Sequence, residues 1–256
     1  MSDLPLLIPA MIHALHGNFG LPNDWDAALP QGVAAKTWHL WEIRRHHPAT
    51  HSLSGFASWF NNQIAALPPD PGRLLAGYSL GGRLALHILA DRPALWPKAL
   101  LLSTHPGLLP ADERALRLTH DATWQHRCLH TPWSEVIAVW NEQSIFKSTS
   151  AHPFPATLES WRGEIAGAFD GWSLGHQEEL LSRLTNIPCS IQWLAGADDH
   201  KFANLAQHAT ASHPAFGLNL VVDSGHRLLL DQPVAVRSAI QAMLAAPLKK
   251  LNVQQP

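Results

Sequence analysis

Six short apolar runs, bounded by glycine, proline and polar residues, recur along the chain near 10–15, 36–43, 73–78, 98–104, 189–195 and 217–223. Each has the length of a buried strand. Between them, apolar residues at three- and four-residue spacing predict helices near 22–29, 53–67, 80–92, 201–211 and 232–246. Strands and helices alternating in this way predict an α/β fold, a mostly parallel sheet with helices on both faces. The alternation breaks between Pro106 and about Leu184, where helical periodicity continues without a convincing strand. The expected organisation is therefore a core of 1–107 and 185–256, with 108–184 inserted as a helical cap.

A chain of 256 residues suits one such domain with an insertion. A net charge of −2 with 15% charged residues, and no basic patch interleaved with aromatics, argues against nucleic acid as a partner. No apolar run approaches the 18 or so residues of a membrane span, so no membrane insertion is expected. The first residues, Met1-Ser2-Asp3-Leu4-Pro5, lack the basic start of a signal peptide. Cys128 and Cys189 are far apart and without metal-ligand spacing, which fits reduced thiols in a cytoplasm. Seventeen histidines include His46, His47 and His51, but these sit beside no carboxylate or thiolate. They read as surface residues, and neither a metal nor a cofactor is expected. Trp124, Trp133, Trp140, Trp161 and Trp172 crowd the insertion. Such large rings suit either a lid around an organic substrate or the glue of a small helical subdomain.

The chemistry concentrates at Gly77-Tyr78-Ser79-Leu80-Gly81, between an apolar strand and a helix that Pro93 stops. A Gly-x-Ser-x-Gly turn mounts its serine on a strained elbow, and flanking side chains would clash with the neighbouring strand and helix. In this arrangement an acid and then a histidine follow the serine in the chain. Asp198-Asp199 ends the strand near 189–195, and Asp223-Ser224-Gly225-His226 ends the next. Both loops lie at the carboxyl edge of the sheet, on the same side as Ser79. Ser79, Asp199 and His226 are the expected catalytic residues. Asp198 is read as a turn-stabilising neighbour and Asp223 as a local turn residue. An acid after the strand at 98–104 is not available, because Ser103-Thr104-His105 stands there. The Leu80 N–H is the expected first oxyanion donor, and the Asn18 N–H, in the His16-Gly17-Asn18 loop, the second. His16 is expected to fix that loop by a side-chain hydrogen bond.

Together, Gly77-Tyr78-Ser79-Leu80-Gly81-Gly82-Arg83, His105-Pro106-Gly107-Leu108, Glu113-Arg114-Ala115 with Arg117, Trp124 with Arg127, Trp140 with Gln143-Ser144-Ile145-Phe146, and Asp199-His200-Lys201-Phe202 resemble a known group. It is the SHCHC synthase family of menaquinone biosynthesis, lyases of the α/β-hydrolase fold, and the resemblance covers about 16–226. The chain departs from the family at Arg44-Arg45-His46-His47-Pro48, where a Pro-Gly-His-Gly-Ser turn is usual. The resemblance implies elimination of pyruvate from a substrate with three carboxylates, with Ser79 activated by His226 as the base. It also implies substrate binding by Arg83, Arg117 and Arg162, with Tyr78 and Trp140 shaping the pocket. Planar, bidentate arginine suits buried carboxylates. Arg83 lies one helical turn beyond Ser79, and Arg114 shares a helix face with Arg117. The partner is thus a small polycarboxylate. The rival reading is a carboxylesterase or thioesterase with Ser79 as nucleophile.

Overall fold

The computed structural model describes residues 11–30, 38–45, 52–149, 152, 154–213 and 216–247. Six parallel strands form one sheet: β1 (Ile12–Leu15), β2 (Trp38–Trp41), β3 (Leu74–Tyr78), β4 (Lys98–Leu102), β5 (Ser190–Gly196) and β6 (Gly217–Val221). Their order is β2-β1-β3-β4-β5-β6. The chain thus winds outward from β1 to one edge, returns past it to β3, and continues to the other edge. The loops after β1 and β3 consequently part in opposite directions and leave a crevice at the carboxyl ends of these strands.

Alternation along each strand sorts the apolar residues into two cores. Leu15, Leu75, Leu101 and Trp193 face α1 (Leu53–Ala65), α2 (Leu80–Asp91) and α6 (His200–Ser212). Ile12, Leu74, Leu100 and Leu194 face α7 (Leu228–Asp231), α8 (Pro233–Ala245) and the turn at Pro22–Ala28. With both faces covered, the central strands read as continuous apolar runs rather than as alternating ones. Lys98, the one charge in β4, carries its amine to the carbonyls of Leu244 (3.2 Å) and Ala246 (2.8 Å), at the end of α8. A cation there complements the unpaired carbonyls of a helix C-terminus.

Between β4 and β5 lie α3 (Ala111–His130), α4 (Trp133–Asn141) and α5 (Arg162–Gly171), joined by short 3₁₀ turns, with no strand among the described residues. They share a third core of Trp124, Cys128, Val136, Ile165 and Phe169, into which Phe19 of the β1 loop inserts. Phe19 lies 4.1 Å from Trp140, ring stacked on ring, and so fastens the insertion to the sheet loop.

Three elements differ from expectation. The helix expected at 22–29 is a 3₁₀ turn, Pro22–Ala28, closed by Asp24 accepting from the Leu21 N–H. The strand expected to reach 223 stops at Val221, because Asp223 turns to φ +52°. The helix expected over 232–246 starts at Pro233, whose fixed φ suits a first position, and α7 precedes it as a separate turn. His46, His47 and His51, and the tail beyond residue 247, lie outside the described residues. Cys128 and Cys189 are both buried, and burial pushes the Cys128 thiol up to about 12. No helix among the described residues is long and apolar enough to cross a membrane.

Candidate active site

Ser79 occupies the turn between β3 and α2 with φ +53° and ψ −108°, a conformation that L-residues avoid. Glycine makes the turn possible. A Cβ on Gly77 would stand 2.5 Å from the Gly81 carbonyl oxygen, and one on Gly81 would overlap the Leu15 carbonyl of β1. The Ser79 N–H still reaches the Leu102 carbonyl at 2.9 Å, so the elbow remains tied to the sheet.

The structure brings Ser79, Asp199 and His226 together. Ser79 Oγ is 3.1 Å from His226 Nε2, and His226 Nδ1 is 2.7 Å from Asp199 Oδ2. A carboxylate only accepts, so Nδ1 carries the proton and donates to Asp199, which leaves Nε2 as the acceptor for the serine hydroxyl. Asp199 does double service: its Oδ1 accepts from the Phe202 N–H at 3.3 Å and caps α6, which fixes the direction of Oδ2. The adjacent Asp198 is exposed, and its backbone N–H bonds the Ser224 carbonyl at 3.0 Å, tying the acid loop to the histidine loop. Ser103 Oγ donates to the His226 carbonyl at 3.0 Å. The imidazole is walled by Phe202 (4.5 Å), Phe146 (5.8 Å) and Tyr78 (5.8 Å).

Asn18 and Leu80 both line the cavity next to Ser79. The Leu80 N–H is the first of α2, one of the donors a helix start leaves without an intrahelical partner. The Asn18 loop is braced from below. His16 Nε2 meets Glu42 Oε1 at 3.1 Å, and Arg44 grips Glu42 with Nε and Nη2, each at 2.8 Å. Arg44 also reaches the Asn18 carbonyl at 3.5 Å and lies over Trp161. Burial alone would raise the Glu42 carboxyl, but the hydrogen bonds from Arg44 and His16 prevail and hold it down to about 2. At the departure, Arg44 is fully buried and braces the loop, while Arg45 is exposed.

The cavity above Ser79 measures about 880 Å³, within the range of small-molecule sites. Tyr78, Arg83, Arg117 and Trp140 all line it. Arg83 is buried and donates to the Trp172 carbonyl (2.7 Å) and the Gln177 side-chain oxygen (3.2 Å). Burial first, and Arg117 second, lower its guanidinium to about 9, with Asp121 opposing. Arg117 Nε is 2.8 Å from Asp121 Oδ1, and Ser173 Oγ is 2.7 Å from Asp121 Oδ2. Burial of the Tyr78 phenol raises it well above the ordinary value, so it stays protonated as a neutral donor.

Arg162 does not line the cavity. Its Nη2 donates to the Thr131 carbonyl at 2.5 Å and its guanidinium lies over Trp133, because the start of α5 faces the outer helices rather than Ser79. Arg114 likewise turns to the carbonyls of Leu108 and Leu109. Of the five tryptophans, Trp124, Trp140 and Trp172 line the cavity, while Trp133 and Trp161 pack against the insertion's core and beneath Arg162 and Arg44 respectively.

Several residues escaped the reading of the sequence: Lys201, His105 and Arg227 line the cavity, and Gln177 accepts from Arg83 of its wall. Burial, then the nearby Lys201, Arg83 and Arg117, push the His105 imidazole down to about 3 and keep it neutral. Its Nδ1 accepts from the Gly107 N–H at 3.1 Å, which places the proton on Nε2. The signal for His105 and Lys201 lay in the two motifs that carried the resemblance; nothing in the sequence distinguished Gln177.

A model of the alpha/beta hydrolase family matches residues 14–239. The chain is 34% identical to a 2-succinyl-6-hydroxy-2,4-cyclohexadiene-1-carboxylate synthase of Serratia proteamaculans over 96% of this chain and 95% of that protein. It is 29% identical to the protein of the same name from Pectobacterium atrosepticum, over 92% and 94%. Among solved structures, MenH from S. aureus superposes with a TM-score of 0.75 at 17% identity, covering 95% of this chain and 96% of that one.

Proposed function

The chain belongs to the alpha/beta hydrolase family, and within it to the 2-succinyl-6-hydroxy-2,4-cyclohexadiene-1-carboxylate synthases; from that footing we propose that it is a lyase that eliminates pyruvate from an enolpyruvyl tricarboxylate in menaquinone biosynthesis. Ser79 is the base, His226 takes the serine proton, and Asp199 orients the imidazole and stabilises its charged form. The serine oxygen removes a C–H proton in conjugation with the succinyl carbonyl of the substrate. Charge develops on that carbonyl oxygen, where the Asn18 and Leu80 N–H groups stabilise it. The C–O bond to the enolpyruvyl group then breaks, the electron pair leaves with pyruvate enolate, and the imidazolium returns a proton. Residues 108–184 form the cap over this site, Tyr78 and Trp140 shape it, and Arg83 and Arg117 bind carboxylate.

The observation that carries this reading is Arg83, a buried guanidinium in the cavity wall with Ser79 and ion-paired to no carboxylate among the described residues. A buried cation without an ion-pair partner is costly, and an anionic substrate relieves that cost. An esterase for apolar acyl groups has no use for it. Ester or thioester hydrolysis is the second reading, favoured by the 3.1 Å Ser79–His226 hydrogen bond, which equally activates a nucleophile.

Coupling to lactate dehydrogenase and following NADH loss decides between them. The lyase releases pyruvate from the tricarboxylate and hydrolyses p-nitrophenyl esters feebly. Brisk acetate or butyrate ester hydrolysis without pyruvate would overturn it.

A further inference from the structure

The loop after β1 is folded so that its main chain lies against the nucleophile. The Gly20 N–H donates to the Gly17 carbonyl at 3.1 Å and closes residues 17–20 into a tight turn. A Cβ on Gly17 would stand 2.9 Å from the Tyr78 ring and 3.8 Å from the Ser79 Cβ, so this turn abuts the elbow. Two side chains leave it. Phe19 enters the insertion's core and stacks on Trp140, whereas Asn18 lines the cavity with Ser79.

The main chain of Asn18 is fastened, and its side chain is not. The Asn18 carbonyl accepts from Arg44 Nη1 at 3.5 Å, and Arg44 is itself held by Glu42. The side-chain oxygen, Oδ1, is buried with no hydrogen-bond partner among the described residues, although the residue as a whole is only half-buried. A buried acceptor left without a partner costs stability, and such groups are retained where the side chain has other work.

We propose that the Asn18 side chain is itself catalytic: its Nδ2–H donates to the substrate oxygen on which charge develops, a third donor beside the Asn18 and Leu80 N–H groups. The assignment deepens the mechanism proposed above and rests on its oxyanion site. With Oδ1 turned into the protein, the two Nδ2–H donors are the polar end of the amide left for the cavity. The closed turn and the Arg44 brace hold the donor in place before the reaction begins. Its hydrogen bond strengthens as charge grows on the oxygen, so it acts on kcat more than on KM. The amide stays neutral throughout and keeps its protons.

Asn18→Ala tests it by the kinetics of pyruvate release from the enolpyruvyl tricarboxylate, with thermal melts alongside. The kcat should fall on the order of 10- to 100-fold while KM stays within about threefold. The melting temperature should hold or rise, because the variant also removes the unpartnered oxygen. Asn18→Asp keeps the size, loses the donors and sets a negative charge beside the developing one, so its kcat should fall at least as far. If Asn18→Ala does not fold, Asn18→Asp carries the test with the same loss. An unchanged kcat would overturn the assignment. So would a raised KM at constant kcat, which marks a contact made equally with substrate and transition state. If the unaltered protein hydrolyses p-nitrophenyl acetate and releases no pyruvate, the lyase reading fails by itself. The same loss of kcat on the ester then keeps Asn18 as an oxyanion donor, and an unchanged kcat removes it.

Discussion

Gln177 accepts from Arg83 across 94 residues of chain, Nη1 to Oε1 at 3.2 Å, and passes its own Nε2–H to the His105 carbonyl at 3.0 Å. A residue of the insertion thereby joins α2 to the end of β4. The acceptor is an amide, so Arg83 is oriented and keeps its charge for a ligand.

The first prediction follows from that pair. Gln177→Glu keeps the shape but places a carboxylate on Arg83, cancelling the charge a substrate carboxylate would meet. KM for the tricarboxylate should rise on the order of tenfold or more, equivalent to about 1.4 kcal/mol. Arg83→Ala and Arg117→Ala should each weaken transition-state binding by about 2–4 kcal/mol, read as kcat/KM. Unchanged kinetics in all three would return these arginines to a structural role and favour ester hydrolysis.

Ser79→Ala, His226→Ala and Asp199→Asn should each remove most activity, and combining them should cost little more than the worst single change, since the three act as a unit. Asp198→Asn should be mild, because its side chain is exposed and its backbone makes the loop contact. Equal damage from Asp198→Asn and Asp199→Asn would remove Asp199 from the role of orienting acid.

Glu42 sets an acid limit on stability. Its carboxyl is held down to about 2 from an ordinary 4.5, so its contribution is complete above about pH 4.5 and is lost as pH falls toward 2. Glu42→Gln strands the buried Arg44 charge and should lower stability at pH 7 by about 3 kcal/mol, seen in denaturant melts. The variant should also lose less stability than the unaltered protein between pH 4.5 and pH 2. Parallel pH profiles for the two proteins would show that the brace does not titrate as described.

Two glycines give opposite results with alanine. Gly81→Ala drives a Cβ into the Leu15 carbonyl and should cost at least about 2 kcal/mol or prevent folding. Gly163→Ala, in α5 with nothing within 4 Å of the new Cβ, should raise stability by about 0.4–1 kcal/mol. Thermal melts of the two variants give the comparison.

The strands, the elbow and the chain order of Ser79, Asp199 and His226 were legible from the sequence because they are local. Strands announce themselves by apolar runs, turns by glycine, and the order of loops along one sheet edge by alternating strand and helix. Asp199 could be preferred to its neighbour, yet only the capping bond to the Phe202 N–H, set by where α6 begins, gives its second oxygen to His226. The directions of two other arginines lay beyond reach for the same reason. Arg83 and Arg117 sit on helices whose inward faces can be counted, whereas Arg162 and Arg227 lie at element ends. There the chain's path through the insertion, rather than any periodicity, sets their direction. Helical spacing could mark the stretch between β4 and β5 as a helical cap, but not decide how many helices it holds or which of their ends look down on Ser79. That depends on how Phe19 packs with Trp124 and Trp140, each more than a hundred positions further along, a meeting that exists only in the folded chain.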